Sequence, residues 1–166
     1  MNITCVGCGY VGLVVGTCLA DLGNEVICMD VDREKISKLK KGIIPIFEPG
    51  LEHILRRNAK EGRLSFSTDM KKAVRFAQAI FITVGTPPDQ NHRADLTAVE
   101  RVAKEIGRYM NSYKVIINKS TVPVGTATEV AKVIKKALKR PVEFDVVSNP
   151  EFLREGEAIK DFMNPD

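Results

Sequence analysis

Gly7-Cys8-Gly9-Tyr10-Val11-Gly12 stands between an apolar run, Ile3-Thr4-Cys5-Val6, and a helix-like stretch over residues 11–22. A Gly-x-Gly-x-x-Gly pattern alone is common. Between a strand and a helix, each glycine acquires a reason. The first permits the tight turn, the second lets the backbone approach a pyrophosphate, and the third lets helix and strand pack closely, while the helix start offers unpaired amides to the phosphates. A second apolar run, Glu25-Val26-Ile27-Cys28-Met29, follows and ends in Asp30, roughly 20 residues after the fingerprint, where a carboxylate accepts hydrogen bonds from adenosine ribose hydroxyls. Such a carboxylate repels a 2′-phosphate, so NAD is favoured over NADP. Arg33 is the one hint toward NADP, and it is expected on the exposed face of the next helix.

Beyond Asp30, short apolar runs keep alternating with amphipathic stretches. Strands are predicted over 3–6, 26–29, 64–67, 79–84, 115–119 and 145–148, and helices over 11–22, 33–41, 51–61, 70–76, 96–110 and 126–138. Asp32, Asp69 and Asp95 are placed to cap the second, fourth and fifth helices, and Gly23 to end the first in a left-handed turn. The alternation predicts an α/β fold: a Rossmann-like, doubly wound parallel sheet with helices on both faces. In such a sheet the loops at the carboxyl ends of strands line the ligand crevice. The loops after Val6, Met29, Val84, Lys119 and Ser148 should therefore converge on the dinucleotide. Two segments break the rhythm: residues 42–50, too apolar for an ordinary exposed loop, and the proline-containing residues 84–94.

The chain has 166 residues, enough to bury a core without disulfides or metals. Its 25 basic and 21 acidic side chains are mixed along the sequence for a net charge of +4, and its basic clusters sit at helical spacing, which argues against nucleic acid as a partner. Cys5, Cys8, Cys18 and Cys28 all fall in the first strand-helix-strand unit. Cys5-Val6-Gly7-Cys8 is formally a CxxC, but no second pair completes a zinc site, so no metal is expected and the thiols read as small hydrophobes in a reducing compartment. Met1 leads directly into the first strand and no apolar run approaches membrane-spanning length, so a cytoplasmic protein with no membrane partner is expected.

Five blocks carry a resemblance that covers essentially the whole chain. They are Gly7-Cys8-Gly9-Tyr10-Val11-Gly12-Leu13, Phe47-Glu48-Pro49-Gly50-Leu51, Val84-Gly85-Thr86-Pro87, Lys119-Ser120-Thr121-Val122-Pro123-Val124-Gly125-Thr126, and the run from Ser148 to Gly156. In this order they resemble the UDP-glucose/GDP-mannose dehydrogenase family. The run around Asn149-Pro150-Glu151-Phe152-Leu153-Arg154-Glu155 is most similar to members that oxidise UDP-glucose, with GDP-mannose as the alternative substrate. The resemblance implies two successive oxidations at the sugar C6, alcohol to aldehyde to carboxylate, consuming two NAD. The aldehyde is held on a cysteine as a thiohemiacetal and then a thioester.

By the same resemblance, Gly7, Gly9, Tyr10, Val11 and Gly12 hold the pyrophosphate, Asp30 the adenosine ribose, and Lys35 reaches that ribose. Thr86 faces the nicotinamide side, although threonine also suits a turn before Pro87-Pro88. Thr121 positions the catalytic water, or caps the following helix. Glu151 follows a strand expected to be buried and lies near both water and nicotinamide, where a carboxylate acts as general base or proton relay when burial raises its pKa. Glu151, Phe152, Leu153, Arg154 and Glu155 contact the nucleotide-sugar, largely through backbone groups, with the arginine also available to a phosphate. Glu48-Pro49-Gly50-Leu51 orders a helix start.

The family's nucleophilic cysteine lies in a glycine-rich motif absent from this sequence, so none of the four cysteines inherits that role. Cys8, at a helix start that would favour a thiolate, reads as a tolerated small side chain beside the cofactor. The 166 residues therefore read as the N-terminal NAD-binding domain of a longer enzyme, without turnover by itself. The intact enzyme is expected to be a homodimer, the state of this portion staying open. The chain closes on residues 164–166 with no capped helix. A different class of reading is a stand-alone NAD-sensing module, but the Thr121 and Glu151 motifs have no purpose in a pure sensor.

Overall fold

Strand β1 (Asn2–Val6) is apolar on both faces because both faces are covered. Val6 packs into one core with Ile80, Ile82, Val99, Ile106, Ile116 and Ile134. Ile3 and Cys5 point the other way, into a second core with Leu13, Val15, Val26, Ile36, Leu55 and Leu64. That division is the signature of a sheet with helices on both sides. The computed structural model describes residues 1–164. Its remaining elements are α1 (Tyr10–Asp21), β2 (Glu25–Met29), α2 (Arg33–Lys40), α3 (Leu51–Lys60), β3 (Leu64–Ser67), α4 (Met70–Phe76), β4 (Ala79–Ile82), α5 (Thr97–Tyr109), β5 (Lys114–Asn118), α6 (Thr126–Ala137), β6 (Phe144–Ser148) and α7 (Ala158–Met163). The strands form one parallel sheet in the order β3-β2-β1-β4-β5-β6. The expected doubly wound architecture is the observed one, with α1 to α3 over one face and α4 to α6 over the other.

The order reverses at β1, which pairs with β2 on one side and β4 on the other. Connections leaving in opposite directions open a crevice beyond the carboxyl end of β1, and the glycine turn sits in it. Local signals set most boundaries. Asp32 accepts from the Lys35 amide at 3.0 Å and Asp69 from the Lys72 amide at 2.9 Å, capping α2 and α4. Asp95 accepts from the Thr97 amide at 2.9 Å, one position earlier than a regular cap, so α5 starts at Thr97. Gly23 ends α1 at φ +89°, its amide and that of Asn24 bonding back to Ala20 and Leu19.

Two expectations are corrected. Strand β6 is not buried: it is the edge strand, paired among the described residues only with β5, and Val147 is 44% exposed. The closing run does contain a capped helix, α7, but its cap comes from Glu48, 110 residues earlier, so no local pattern could announce it. Pro165 and Asp166, in the closing motif, lie outside the described residues.

Candidate dinucleotide and substrate site

The three glycines of the turn are small for different reasons. Gly7 sits at φ +109°, and a Cβ there would lie 2.8 Å from the Thr83 carbonyl oxygen. A Cβ on Gly12 would lie 1.8 Å from the carbonyl oxygen of Gly7, so α1 could not approach β1 as it does. Gly9 is neither strained nor crowded: its φ is −79°, and a Cβ would meet no atom within 4 Å. The packing of this chain does not require glycine there. The open space it leaves fronts the start of α1, where Leu13 makes the first bond back, to Gly9 O at 3.0 Å, and no side chain caps the helix. The amides of Tyr10, Val11 and Gly12 are the orphan donors of that first turn. A cradle of this kind fits a pyrophosphate. Thr83, which the sequence reading passed over, braces it from behind, its hydroxyl shared between the carbonyls of Val6 at 3.0 Å and Gly7 at 2.9 Å. Gly16 was also passed over; a Cβ on it would lie 2.4 Å from the Cys28 sulfur, so the glycine sets how closely α1 approaches β2.

Asp30 lies one residue past β2, beside the turn. Its Oδ2 accepts from the Cys8 amide at 2.8 Å and from Lys35 Nζ at 2.9 Å, and its Oδ1 accepts from the Asp32 amide at 3.0 Å. Burial pushes this carboxyl up, but the two amides and the ammonium outweigh it and hold the pKa below the usual aspartate value. Lys35 is held above its usual value, its burial being outweighed by the Asp30 charge. The pair forms one ionised unit at the carboxyl edge of the sheet, with oxygen lone pairs remaining for a diol. Arg33 is exposed at the first position of α2.

At the ends of β4, β5 and β6 the predicted motifs come together. The Thr86 hydroxyl donates to the Thr121 carbonyl at 2.8 Å, and the Ser120 hydroxyl to the Val84 carbonyl at 2.7 Å, stitching the two loops. Thr121 is exposed, and the helix that follows it is braced by Thr126, whose hydroxyl bonds the Pro123 carbonyl at 2.7 Å. Lys119 is 3% exposed, with Nζ 3.2 Å from Asn149 Oδ1 and 5.2 Å from the centre of the Phe152 ring. Burial lowers its pKa against the opposing pull of the Glu151 charge. Half-buried Glu151 folds back on its own segment, Oε2 accepting from the Leu153 amide at 2.7 Å. Phe152 is 59% exposed at the rim, whereas Leu153 turns inward against both the α1–α3 core and a small cluster of Val14, Cys18, Leu51 and Ala158. The Arg154 guanidinium, expected to be available to a phosphate, is engaged with Asp161, Nη2 to Oδ1 at 2.6 Å and Nε to Oδ2 at 3.0 Å, and this arginine holds the Asp161 carboxyl down at about 2. Glu155 is exposed, close enough for its charge to act on Tyr10.

Glu48, which the sequence reading assigned to ordering a helix start, is buried at the junction of these parts. It accepts from the Tyr10 hydroxyl, from the Gly156 amide at 2.8 Å and from the Ala158 amide at 3.0 Å. Burial pushes the Glu48 carboxyl up, and these donors bring it below the usual glutamate value; Tyr10, half-buried and against that carboxylate, is raised to about 12. A glutamate between Phe47 and Pro49 in an apolar loop is the available signal.

All four cysteines are buried and free. A hydrogen bond with Cys28, then burial, pushes the Cys8 thiol far above its ordinary value, and burial raises Cys18 to about 12, so the helix start does not make Cys8 a thiolate. Among the described residues no cluster of three or more His, Cys, Asp or Glu could hold a metal ion, and no helix is long and apolar enough to cross a membrane. A groove of about 1400 Å³ between α6 and β6 contains no residue of the turn and lies along the open sheet edge.

A family profile described as the NAD binding domain of the UDP-glucose/GDP-mannose dehydrogenase family matches residues 1–166. The UDP-glucose 6-dehydrogenase TuaD of Bacillus subtilis is 54% identical over 98% of this chain, which spans 35% of that relative. Among solved structures, a UDP-glucose dehydrogenase from Pyrobaculum islandicum superposes with a TM-score of 0.94 at 42% identity, over 99% of this chain and 39% of that one. A GDP-mannose dehydrogenase from Pseudomonas aeruginosa superposes at 0.93 and 43%, with the same coverage. The chain thus spans well under half the length of these relatives. The glycine cradle, the acid after β2 and the motif-bearing loops at the carboxyl edge are accounted for together: the chain belongs to the UDP-glucose/GDP-mannose dehydrogenase family and constitutes its NAD-binding domain.

Proposed function

We propose that this domain serves a longer enzyme that oxidises the C6 alcohol of UDP-glucose to a carboxylate, using two NAD and one water for each sugar. The observation that supports the cofactor half is Gly9, whose smallness only a ligand needs, set beside uncapped helix amides and the ionised Asp30–Lys35 pair. In this reading Gly7, Gly9, Tyr10, Val11 and Gly12 surround the pyrophosphate and Asp30 accepts from the adenosine ribose, with Lys35 holding that carboxylate in place. When bound, the nicotinamide supplies the hydride acceptor. Thr86 fixes the Thr121 loop on the nicotinamide side, and Thr121 orients water. Glu151 acts as base or proton relay, with the Phe152, Leu153, Arg154 and Glu155 segment against the nucleotide-sugar. The Arg154 guanidinium serves this segment through Asp161 and the ligand contacts run through backbone groups. The covalent chemistry falls to a cysteine outside these residues. The enzyme works as a homodimer in a reducing, cytoplasmic compartment.

GDP-mannose is the second reading, favoured by the near-equal similarity to the Pseudomonas enzyme. Absorbance of NADH formed by the full-length protein separates the two. About two NADH per UDP-glucose, with none from GDP-mannose, is the expected stoichiometry for a four-electron oxidation. Turnover of GDP-mannose alone would overturn the substrate assignment, and silence with both would favour another nucleotide-sugar or the sensor. Glu151→Gln should lower kcat by about 100-fold or more, the worth of a positioned general base.

A further inference from the structure

We propose that Glu48 is a positioning residue that couples the dinucleotide turn to the substrate-contacting segment, so that occupancy of one orders the other. The proposal rests on the assignment of these two segments made above. Three stretches far apart in sequence meet on this one carboxylate. Tyr10, the first residue of α1 and next to Gly9, donates through its hydroxyl; Gly156 and Ala158, which close the segment after Glu151, donate through their amides. Glu48 is 5% exposed. Burying a carboxylate is costly unless its lone pairs are filled, and an apolar side chain would hold the same packing at less cost. What the carboxylate adds is direction. Its donors fix the segment after Glu151 relative to α1 to within hydrogen-bond tolerance, where greasy contacts would allow sliding.

The surroundings let this junction transmit order in both directions. Gly156, whose amide bonds Glu48, takes φ +92°, and Ala158 packs with Val14, Cys18 and Leu51, backed by Tyr10, Leu153 and Phe162. Leu153, whose amide engages Glu151, is part of the same apolar seat. Phosphate binding at the first turn of α1 restrains Tyr10, hence Glu48, hence residues 153–159. By linkage, a ligand on that segment must strengthen dinucleotide binding by the same factor.

Hydrogen–deuterium exchange on the full-length protein, with and without saturating NAD, tests this in the wild type, Glu48→Gln and Tyr10→Phe. NAD is expected to slow exchange in residues 10–16 and also in 153–159 of the wild type. Each variant is compared at an NAD concentration that saturates it, with slowing at 10–16 as the check of occupancy, since the Tyr10 contact to the pyrophosphate is its backbone amide and its hydroxyl goes to Glu48. At that occupancy the NAD-dependent slowing at 153–159 falls at least about threefold in both variants. The difference between bound and free decides, because a merely structural role would loosen 153–159 equally in both. Tyr10→Phe removes a single hydroxyl and keeps the ring, so it guards against misfolding of Glu48→Gln. The proposal is overturned if NAD protects 10–16 alone in the wild type, or if both variants keep the full effect at 153–159. Protection of neither segment overturns the dinucleotide assignment itself, and the coupling with it.

Discussion

Replacing Gly9 with alanine should separate binding from folding. The added Cβ meets no atom of the chain within 4 Å and the backbone already lies at φ −79°, so the folded state accommodates it without strain. Alanine is a poorer helix cap than glycine, but it also restricts the unfolded chain; these opposing terms leave stability within about 1 kcal/mol of the native value. The methyl group, however, projects into the space before the amides of Tyr10, Val11 and Gly12. If it keeps the pyrophosphate from one charge-assisted hydrogen bond, about 1.5–3 kcal/mol is lost, equivalent to a roughly 10- to 150-fold weaker NAD complex. Gly12→Ala is the contrast. Its Cβ would fall 1.8 Å from a backbone oxygen, and backbone cannot rotate aside as a side chain can. The cost should reach or exceed the upper end of ordinary overpacking, about 3 kcal/mol, a large part of a domain's total stability. Urea unfolding gives the stability of each variant and NADH fluorescence titration the affinity. A Gly9→Ala protein that binds NAD like the wild type, or that is destabilised as much as Gly12→Ala, would refute the reasoning.

Other consequences are open to direct measurement. Thr83→Val, nearly isosteric, removes the hydroxyl shared by Val6 and Gly7 and should cost about 1–2 kcal/mol in urea unfolding; an unchanged midpoint would show that the brace is idle. Asp30 has a folded pKa below its unfolded value, so its contribution to stability is present above the unfolded pKa and is lost as pH falls through the lower folded one. The stability difference between the wild type and Asp30→Asn should therefore be flat near neutrality and shrink below about pH 4; a gap that widens in acid would reverse the assignment. Asp30→Asn should also weaken NAD more than NADP, which competition binding would detect. Finally, iodoacetamide at pH 8 should label none of the four buried cysteines in the native chain and all four in urea, counted by mass spectrometry; rapid native labelling of Cys8 would contradict its burial.

The turn and the fold were readable because their causes are local. Gly7-Cys8-Gly9-Tyr10-Val11-Gly12, the acid after the second apolar run and the alternation of strand and helix patterns each depend on a few consecutive residues, as do the caps at Asp32 and Asp69. The family motifs were likewise readable as words, and the structure brings Thr86 against Thr121 and Phe152 over Lys119. The Arg154–Asp161 pair was not foreseen, because an arginine in a motif reads the same whether it faces a ligand or a neighbour.

Composition and order along the chain were enough to specify a parallel, doubly wound sheet and the crevice where its strand order reverses, since periodicity and turn chemistry act between near neighbours. Tertiary packing alone decided which partner satisfies each buried polar group. Lys114 illustrates this: it begins β5 fully buried, its ammonium donating to the Ala77 carbonyl at the end of α4, where its sequence neighbours gave no sign of burial. Glu48 is the other case, capping a helix 110 residues away and holding Tyr10. A buried charge must find its hydrogen-bond partners wherever the fold delivers them, and those partners come from segments that meet only once the sheet and its helices have assembled.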